Sequence, residues 1–120
     1  MTNGKALLIA ALMGFLAVVL GAFGAHSLQR VLQKNGASGV WGTAVLYHLI
    51  HTLMLFVLAG RLPLRAGPWW SFFIGIVLFS GSLYLLALTN LKWLGAITPL
   101  GGISFLIGWL WLVLHPPAPT

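Results

Sequence analysis

Four apolar blocks of roughly membrane-spanning length, divided by every lysine and arginine in the chain, leave few folds open. The blocks lie near residues 6–26, 43–60, 69–89 and 93–114, while Lys5, Arg30, Lys34, Arg61, Arg65 and Lys92 all fall at or beyond their ends. A cation at the bilayer centre costs about 2.5–3.5 kcal/mol even on the mildest scale, so this placement is what four crossings require. With 60% of its residues hydrophobic and 5% charged, the chain also lacks the polar surface of a soluble domain. The sequence therefore predicts an all-α integral membrane protein, with four transmembrane helices in an antiparallel bundle that forms one domain over residues 1–120.

Ala6 to Ala25, behind Lys5, also has the outline of a secretory signal, with Ala22-Phe23-Gly24 as a small-x-small site. Because the sequence starts at Met1, the block is expected to be retained as the first span. Between the first two spans, Leu28, Val31 and Leu32 recur at helical spacing among Gln29, Arg30, Gln33 and Lys34, which predicts an interfacial helical turn. Asn35 to Gly39 ends it, and Trp41 is expected to open the next span as an interfacial anchor. The link Thr89-Asn90-Leu91-Lys92 is short enough to force an antiparallel hairpin, and the Pro-rich tail from His115 to Thr120 stops the last helix.

The absence of Asp and Glu removes paired-acid hydrolysis, oxygen-rich cation sites and carboxylate proton relays from the chemistry of these side chains. The absence of Cys removes disulfides and thiolate metal sites. A formal charge of +6 favours anionic lipid headgroups, and six scattered cations do not form a nucleic-acid patch. Lys5, Arg61 and Arg65 share one side with both termini, opposite Arg30, Lys34 and Lys92. This tie leaves the amino-terminal lysine to place both termini in the cytoplasm of a bacterial inner (plasma) membrane or its equivalent.

Without water to drive association, membrane helices depend on close backbone approach at small residues. Such residues fall at Ala10 and Gly14 and at Ala17, Gly21 and Ala25 in span 1, and at Gly101, Ser104 and Gly108 in span 4, with Gly95, Thr98 and Gly102 on a second face. Span 3 carries Ser71, Gly75 and Ser82 on one side and Ser80, Tyr84 and Ala87 on another, so it is expected to meet two neighbours. Oligomer contact is open alongside a compact monomer.

Chemistry, if any, belongs to the histidines. His51 lies near mid-membrane, Thr43, Tyr47 and His51 follow at intervals of four, and His48 precedes His51 by one turn; this stripe is expected to face the interior. A neutral imidazole offers one donor and one acceptor, which suits a quinone carbonyl, a tetrapyrrole metal, or an interhelical bond from His51 to a hydroxyl such as that of Tyr84. His26 lies near the end of span 1 and His115 at the end of span 4. Pro99 either kinks span 4, freeing the Gly95 carbonyl beside Thr98, or sits in the first turn of a shorter helix.

Gly21-Ala22-Phe23-Gly24-Ala25-His26, Thr43-Ala44 with Tyr47 and His51, Leu78 to Tyr84, and Gly95 to Gly102 with Gly108-Trp109 together resemble the small membrane proteins grouped as domain of unknown function 423, whose animal members are called transmembrane protein 256. The resemblance implies a four-helix membrane protein and no established activity. Relatives usually carry an acidic residue before the Thr-Ala pair, a basic one before the Tyr and Gln after it, where this chain has Gly42, Leu46 and His48. An intramembrane ion pair is thus absent.

Two functions are weighed. The favoured one is a non-catalytic accessory or assembly subunit of a larger membrane complex, contacting lipid and other membrane subunits or its own copies, with no cofactor. The alternative is a binder or carrier of a quinone, lipid or tetrapyrrole that uses His26, Tyr47, His48, His51 and Tyr84.

Overall fold

The structure is a computed structural model that describes residues 1–117. Among these, four helices are long and apolar enough to cross a membrane: Asn3–Ala25, Ser38–Ala59, Ala66–Thr89 and Lys92–Leu114. In detail, α1 (Asn3–Ala25) forms span 1, a short α2 (Gln29–Lys34) lies between spans, and α3 (Ser38–Ala59) forms span 2. Span 3 joins α4 (Ala66–Gly75) to α5 (Gly81–Thr89) through a widened π turn at Ile76–Ser80. Span 4 begins with a 3₁₀ turn at Lys92–Ala96 and continues as α6 (Thr98–Leu114). Each span agrees with its apolar block to within a few residues. The end of the tail, residues 118–120, lies outside the described residues.

The spans pack in chain order, span 1 on span 2, span 2 on span 3 and span 3 on span 4. Ala6, Ala10 and Ala17 of α1 are buried, so the block that resembles a signal is an integral wall of the bundle. Behind it, Leu55, Leu58, Trp69, Phe72, Ile76 and Phe105 complete the larger apolar cluster. Bilayer-facing residues such as Leu8, Phe15, Leu106 and Val113 remain exposed. This is the expected inversion for a protein whose surroundings are as apolar as its core.

Spans 3 and 4 interlock most closely. Gly75 leaves room for the Phe105 ring, and Gly108 for the ring of Phe72, where an added Cβ would come within 2.6 Å of Phe72 Cε1. At Gly101 an added Cβ would collide with the backbone nitrogen of Phe79, which no side-chain rotation can relieve. Ser104 Oγ donates to the Ser71 carbonyl at 2.7 Å between the same spans. At two glycines of span 1 the contacts are looser: a Cβ on Gly21 would lie 3.3 Å from Val45, and one on Gly14 would lie 3.5 Å from Thr52. Gly95 faces open space and Gly102 almost so, so on the second small-residue face of span 4 only Thr98 meets a neighbouring span closely.

Pro99 occupies the first turn of α6, not a kink within a longer helix. Its missing N–H is harmless there, because the first turn has no intrahelical acceptors to offer. Thr98 turns to span 3 instead of the Gly95 carbonyl, its hydroxyl 2.6 Å from that of Ser82.

Trp41 departs from its expected role as an interfacial anchor. Because α3 starts at Ser38, Trp41 falls one turn inside the span, where it is buried and its indole N–H donates to the Leu20 carbonyl at 2.9 Å. Gly24 makes that position available, since any Cβ there would overlap the indole ring.

Two asparagines finish helix ends on neighbouring elements. Asn3 Nδ2 donates to the carbonyls of Ala59 and Arg61, both at 2.8 Å, and Asn35 Nδ2 donates to those of Ala87 at 2.8 Å and Leu88 at 3.3 Å. Helix carboxyl ends leave carbonyls without intrahelical partners, and a side-chain amide from the next helix supplies the donor. Each contact also pins a connecting segment at its own membrane face.

Four spans put the first and last described residues on the same side of the bilayer. Reporter fusions at Met1 and Thr120 should therefore give the same sidedness; opposite readings would refute the topology. For the interlock, Gly101→Ala should lower the thermal midpoint in detergent, with a loss of about 1–3 kcal/mol as for other overpacked contacts. Gly42→Ala serves as the comparison, because a Cβ there meets nothing within 4 Å. Equal midpoints would show that spans 3 and 4 do not approach as described.

Candidate functional site

The polar residues at mid-depth cluster on the inner side of α3, but they are not the stripe suggested by their spacing. Ala44, His48, His51, Thr52 and Leu55 are buried, while Thr43 and Tyr47 are exposed. The inner face is set by α1 on one flank and span 3 on the other, and it centres on Ala44 and His48. This leaves Thr43 and Tyr47 at its outer edge and brings only His51 of that stripe inside.

His51 does not meet Tyr84. Its Nδ1 lies 2.8 Å from the carbonyl of Tyr47, one turn back, and its Nε2 is 3.0 Å from the indole nitrogen of Trp109 on α6. A carbonyl can only accept and an indole N–H can only donate, so these partners select the neutral tautomer protonated at Nδ1. The ring also stacks on Phe105, with centroids 3.7 Å apart and planes 11° from parallel. Both nitrogens and one face of the imidazole are therefore engaged inside the bundle.

Tyr84 bonds to His48, with its hydroxyl 2.8 Å from Nδ1. The other nitrogen, Nε2, is buried beside the Met13 backbone of α1 without a hydrogen bond of ordinary geometry. A tyrosine O–H donating to Nδ1 leaves the proton on Nε2, directed at α1. Trp41 packs against the same tyrosine, with ring centroids 4.8 Å apart. One turn above Tyr84, Ser80 Oγ donates to the Ala44 carbonyl at 2.7 Å. Thus Ser80, Tyr84 and Ala87 meet span 2 and its flanking helix, while Ser71, Gly75 and Ser82 meet span 4. The two small-residue faces of span 3 have two different neighbours.

Of His48, His51, Tyr47 and Tyr84, only Tyr47 and His51 border a common groove. His26 caps α1 at the membrane surface, is exposed, and borders a separate groove of about 330 Å³ with Val18, Phe23 and Ser27. His115 caps α6 and is exposed as well. Among the described residues no three His, Cys, Asp or Glu side chains lie together as a metal site would require. Trp109, Ser80, Asn3 and Asn35 were not singled out by sequence reasoning for any polar role, although asparagines just outside apolar blocks are a readable signal for capping.

Fold and site together define a class, a small four-span membrane bundle whose mid-membrane polar groups bond mainly to one another across helices. The chain belongs to the family described as "Protein of unknown function (DUF423)", which it matches over residues 20–102. It is 46% identical over 114 residues to the UPF0382 membrane protein YwdK of Bacillus subtilis, covering 90% of this chain and 92% of that one. To the UPF0382 inner membrane protein YgdD of Escherichia coli it is 43% identical over 114 residues, covering 91% and 86% respectively. No solved structure matches. The chain is accordingly an integral membrane protein of the bacterial inner-membrane type. Two of the family departures, Gly42 and Leu46, lie on the exposed side of α3, and His48 lies on the buried side.

Removing only the indole donor tests the His51 arrangement. Trp109→Phe and His51→Phe should each reduce thermal stability, and the double variant should lose less than the sum, with a coupling of about 0.6–1.7 kcal/mol. Nitrogen NMR of the wild type at neutral pH should show Nδ1 protonated and Nε2 bare. Strict additivity together with the opposite tautomer would refute the bond.

Proposed function

We propose that the protein is a non-catalytic bundle that serves as an accessory or assembly subunit of a larger complex in the bacterial inner membrane. The observation that carries this reading is the engagement of His51, whose two ring nitrogens are both bonded within the chain. This buried imidazole is thereby a strut between spans 2 and 4. Polar groups used this way serve commonly as glue between membrane helices.

The order of the spans supports the same reading. Spans packed in sequence leave the first and the last each with one main neighbour, so both outer helices present long apolar faces to the membrane. On span 1, Leu8, Leu12, Phe15 and Val18 are exposed; on span 4, Ile103, Leu106, Leu110 and Val113 are. Partner helices could lie along either face without disturbing the polar interior. The six cations at the two rims favour anionic lipid around such an assembly. The alternative ligand cluster of His26, Tyr47, His48, His51 and Tyr84 is not assembled as a unit, since His26 borders a separate groove and His48 and Tyr84 bond to each other, while only Tyr47 and His51 share a groove.

Tagged protein expressed at native level and extracted in a mild detergent should migrate with another integral membrane polypeptide at fixed stoichiometry. Replacing Phe15 and Leu12 on α1 by Ala, which leaves the buried Ala6-Ala10-Ala17 face intact, should weaken that association if span 1 is the docking face, and the corresponding Leu106 and Val113 replacements if span 4 is. Migration as an isolated bundle, with no crosslinks from either outer helix, would overturn the proposal.

A further inference from the structure

Several polar atoms of the bundle lack a hydrogen-bond partner; His48 Nε2, Thr52 Oγ1 and Trp69 Nε1 are sealed in the interior, whereas the hydroxyl of Tyr47 belongs to an exposed side chain. Tyr47 lies nine residues into α3, about 14 Å along the helix and so near the bilayer centre. Its side chain is 40% exposed. Its carbonyl receives the His51 bond, but its hydroxyl makes no hydrogen bond among the described residues. In water such a hydroxyl would bond to solvent. At the bilayer centre there is no solvent, and phospholipid ester and phosphate groups lie about 15 Å away. Unlike the sealed atoms, this hydroxyl is within reach of a molecule in the bilayer whose polar group resides at the same depth.

The surroundings define the shape of that molecule. Tyr47, His51, Phe79, Phe105 and Trp109 line a groove of about 420 Å³ between α3, span 3 and α6, together with Pro99 and Gly102. The volume falls in the usual range of small-ligand sites, about 300–1,000 Å³. A transmembrane helix, about 10 Å across with its side chains, is too broad for it. Gly102 differs in kind from Gly101 and Gly108: a Cβ on it would meet only Phe79 Cδ2, at 4.0 Å, so this glycine opens the groove and does not serve helix packing. Flat aromatic walls favour a planar ring by offset stacking, the phenol demands an acceptor, and the flank opens to lipid.

We propose that this groove binds the head ring of a lipid-soluble quinone, with one quinone carbonyl accepting a hydrogen bond from the Tyr47 hydroxyl and the tail leaving into the acyl chains. The site uses none of the histidine nitrogens, so the imidazole bonds of the interior persist when it is filled. It goes beyond the accessory-subunit reading and does not depend on it, because the groove is complete within one chain.

The test uses the whole protein reconstituted in lipid nanodiscs and titrated with decylubiquinone, followed by quenching of tryptophan fluorescence and by equilibrium partitioning against empty nanodiscs. Saturable binding of one quinone per chain is expected, with Trp109 among the quenched residues. Tyr47→Phe, which keeps the ring and removes the donor, should weaken binding about tenfold, the scale of one hydrogen bond in an apolar site. Gly102→Leu should abolish it while leaving the thermal midpoint unchanged, and Gly42→Leu, on the exposed side of α3, should leave binding intact. Uptake no greater than in empty nanodiscs, or equal affinities in wild type, Tyr47→Phe and Gly102→Leu, would overturn the proposal. So would loss of a co-purifying polypeptide on Gly102→Leu without any saturable quinone binding, which would make the groove a protein contact.

Discussion

The approach of spans 3 and 4 governs the geometry of the remaining molecule. Gly75, Gly101 and Gly108 each lack the Cβ that would separate the two helices, and two of them receive phenylalanine rings from the facing span. This reciprocal insertion fixes the height and rotation of α6. Phe105 then lies flat on His51 and Trp109 reaches its Nε2. In a bilayer the apolar surroundings provide no general force between helices, so van der Waals contact at these glycines has to supply what the hydrophobic effect supplies in water.

The π turn in span 3 has a related role. Its widened ring, in which the Gly81 N–H reaches back to the Ile76 carbonyl, shifts the helix phase by one residue between α4 and α5. Upstream of the turn, Gly75 faces span 4; at its end, Ser80 faces span 2 and bonds to the Ala44 carbonyl. The same short segment presents the Phe79 backbone to Gly101. One local irregularity thus serves both neighbours of the central span. A continuous run of apolar residues such as Ile76-Val77-Leu78-Phe79 carries no mark of it, because the turn is stabilised by contacts made on both sides and not by local propensity.

The inner and outer sides of α3 divide the polar chemistry. On the inner side, His48 joins α5 through Tyr84 and faces α1, while His51 joins α6, so adjacent turns of one helix tie three others together. Toward the lipid flank lies Tyr47, whose hydroxyl is outside this network. Exposed position, aromatic neighbours and the open space at Gly102 give that residue a different environment from the histidine one turn away, although the spacing of Tyr47, His48 and His51 in the sequence suggests one group.

The number, limits and antiparallel order of the spans followed from the sequence alone, because hydrocarbon thickness sets helix length and ionic solvation confines Lys and Arg to the ends. The small-residue faces of spans 3 and 4 were legible for a similar reason: intervals of four on a helix define a face without reference to any partner. Which donor met which acceptor was not legible. His51 with Trp109, His48 with Tyr84, and Trp41 with Leu20 depend on helix rotation and axial offset to within an ångström or so, and these are set by Gly24, Gly75, Gly101 and Gly108 acting together. A chain's composition specifies that its buried polar groups need partners, since none is supplied by lipid; only the packed tertiary structure decides which of them find one and leaves the Tyr47 hydroxyl, on the outer edge of α3, among those that do not.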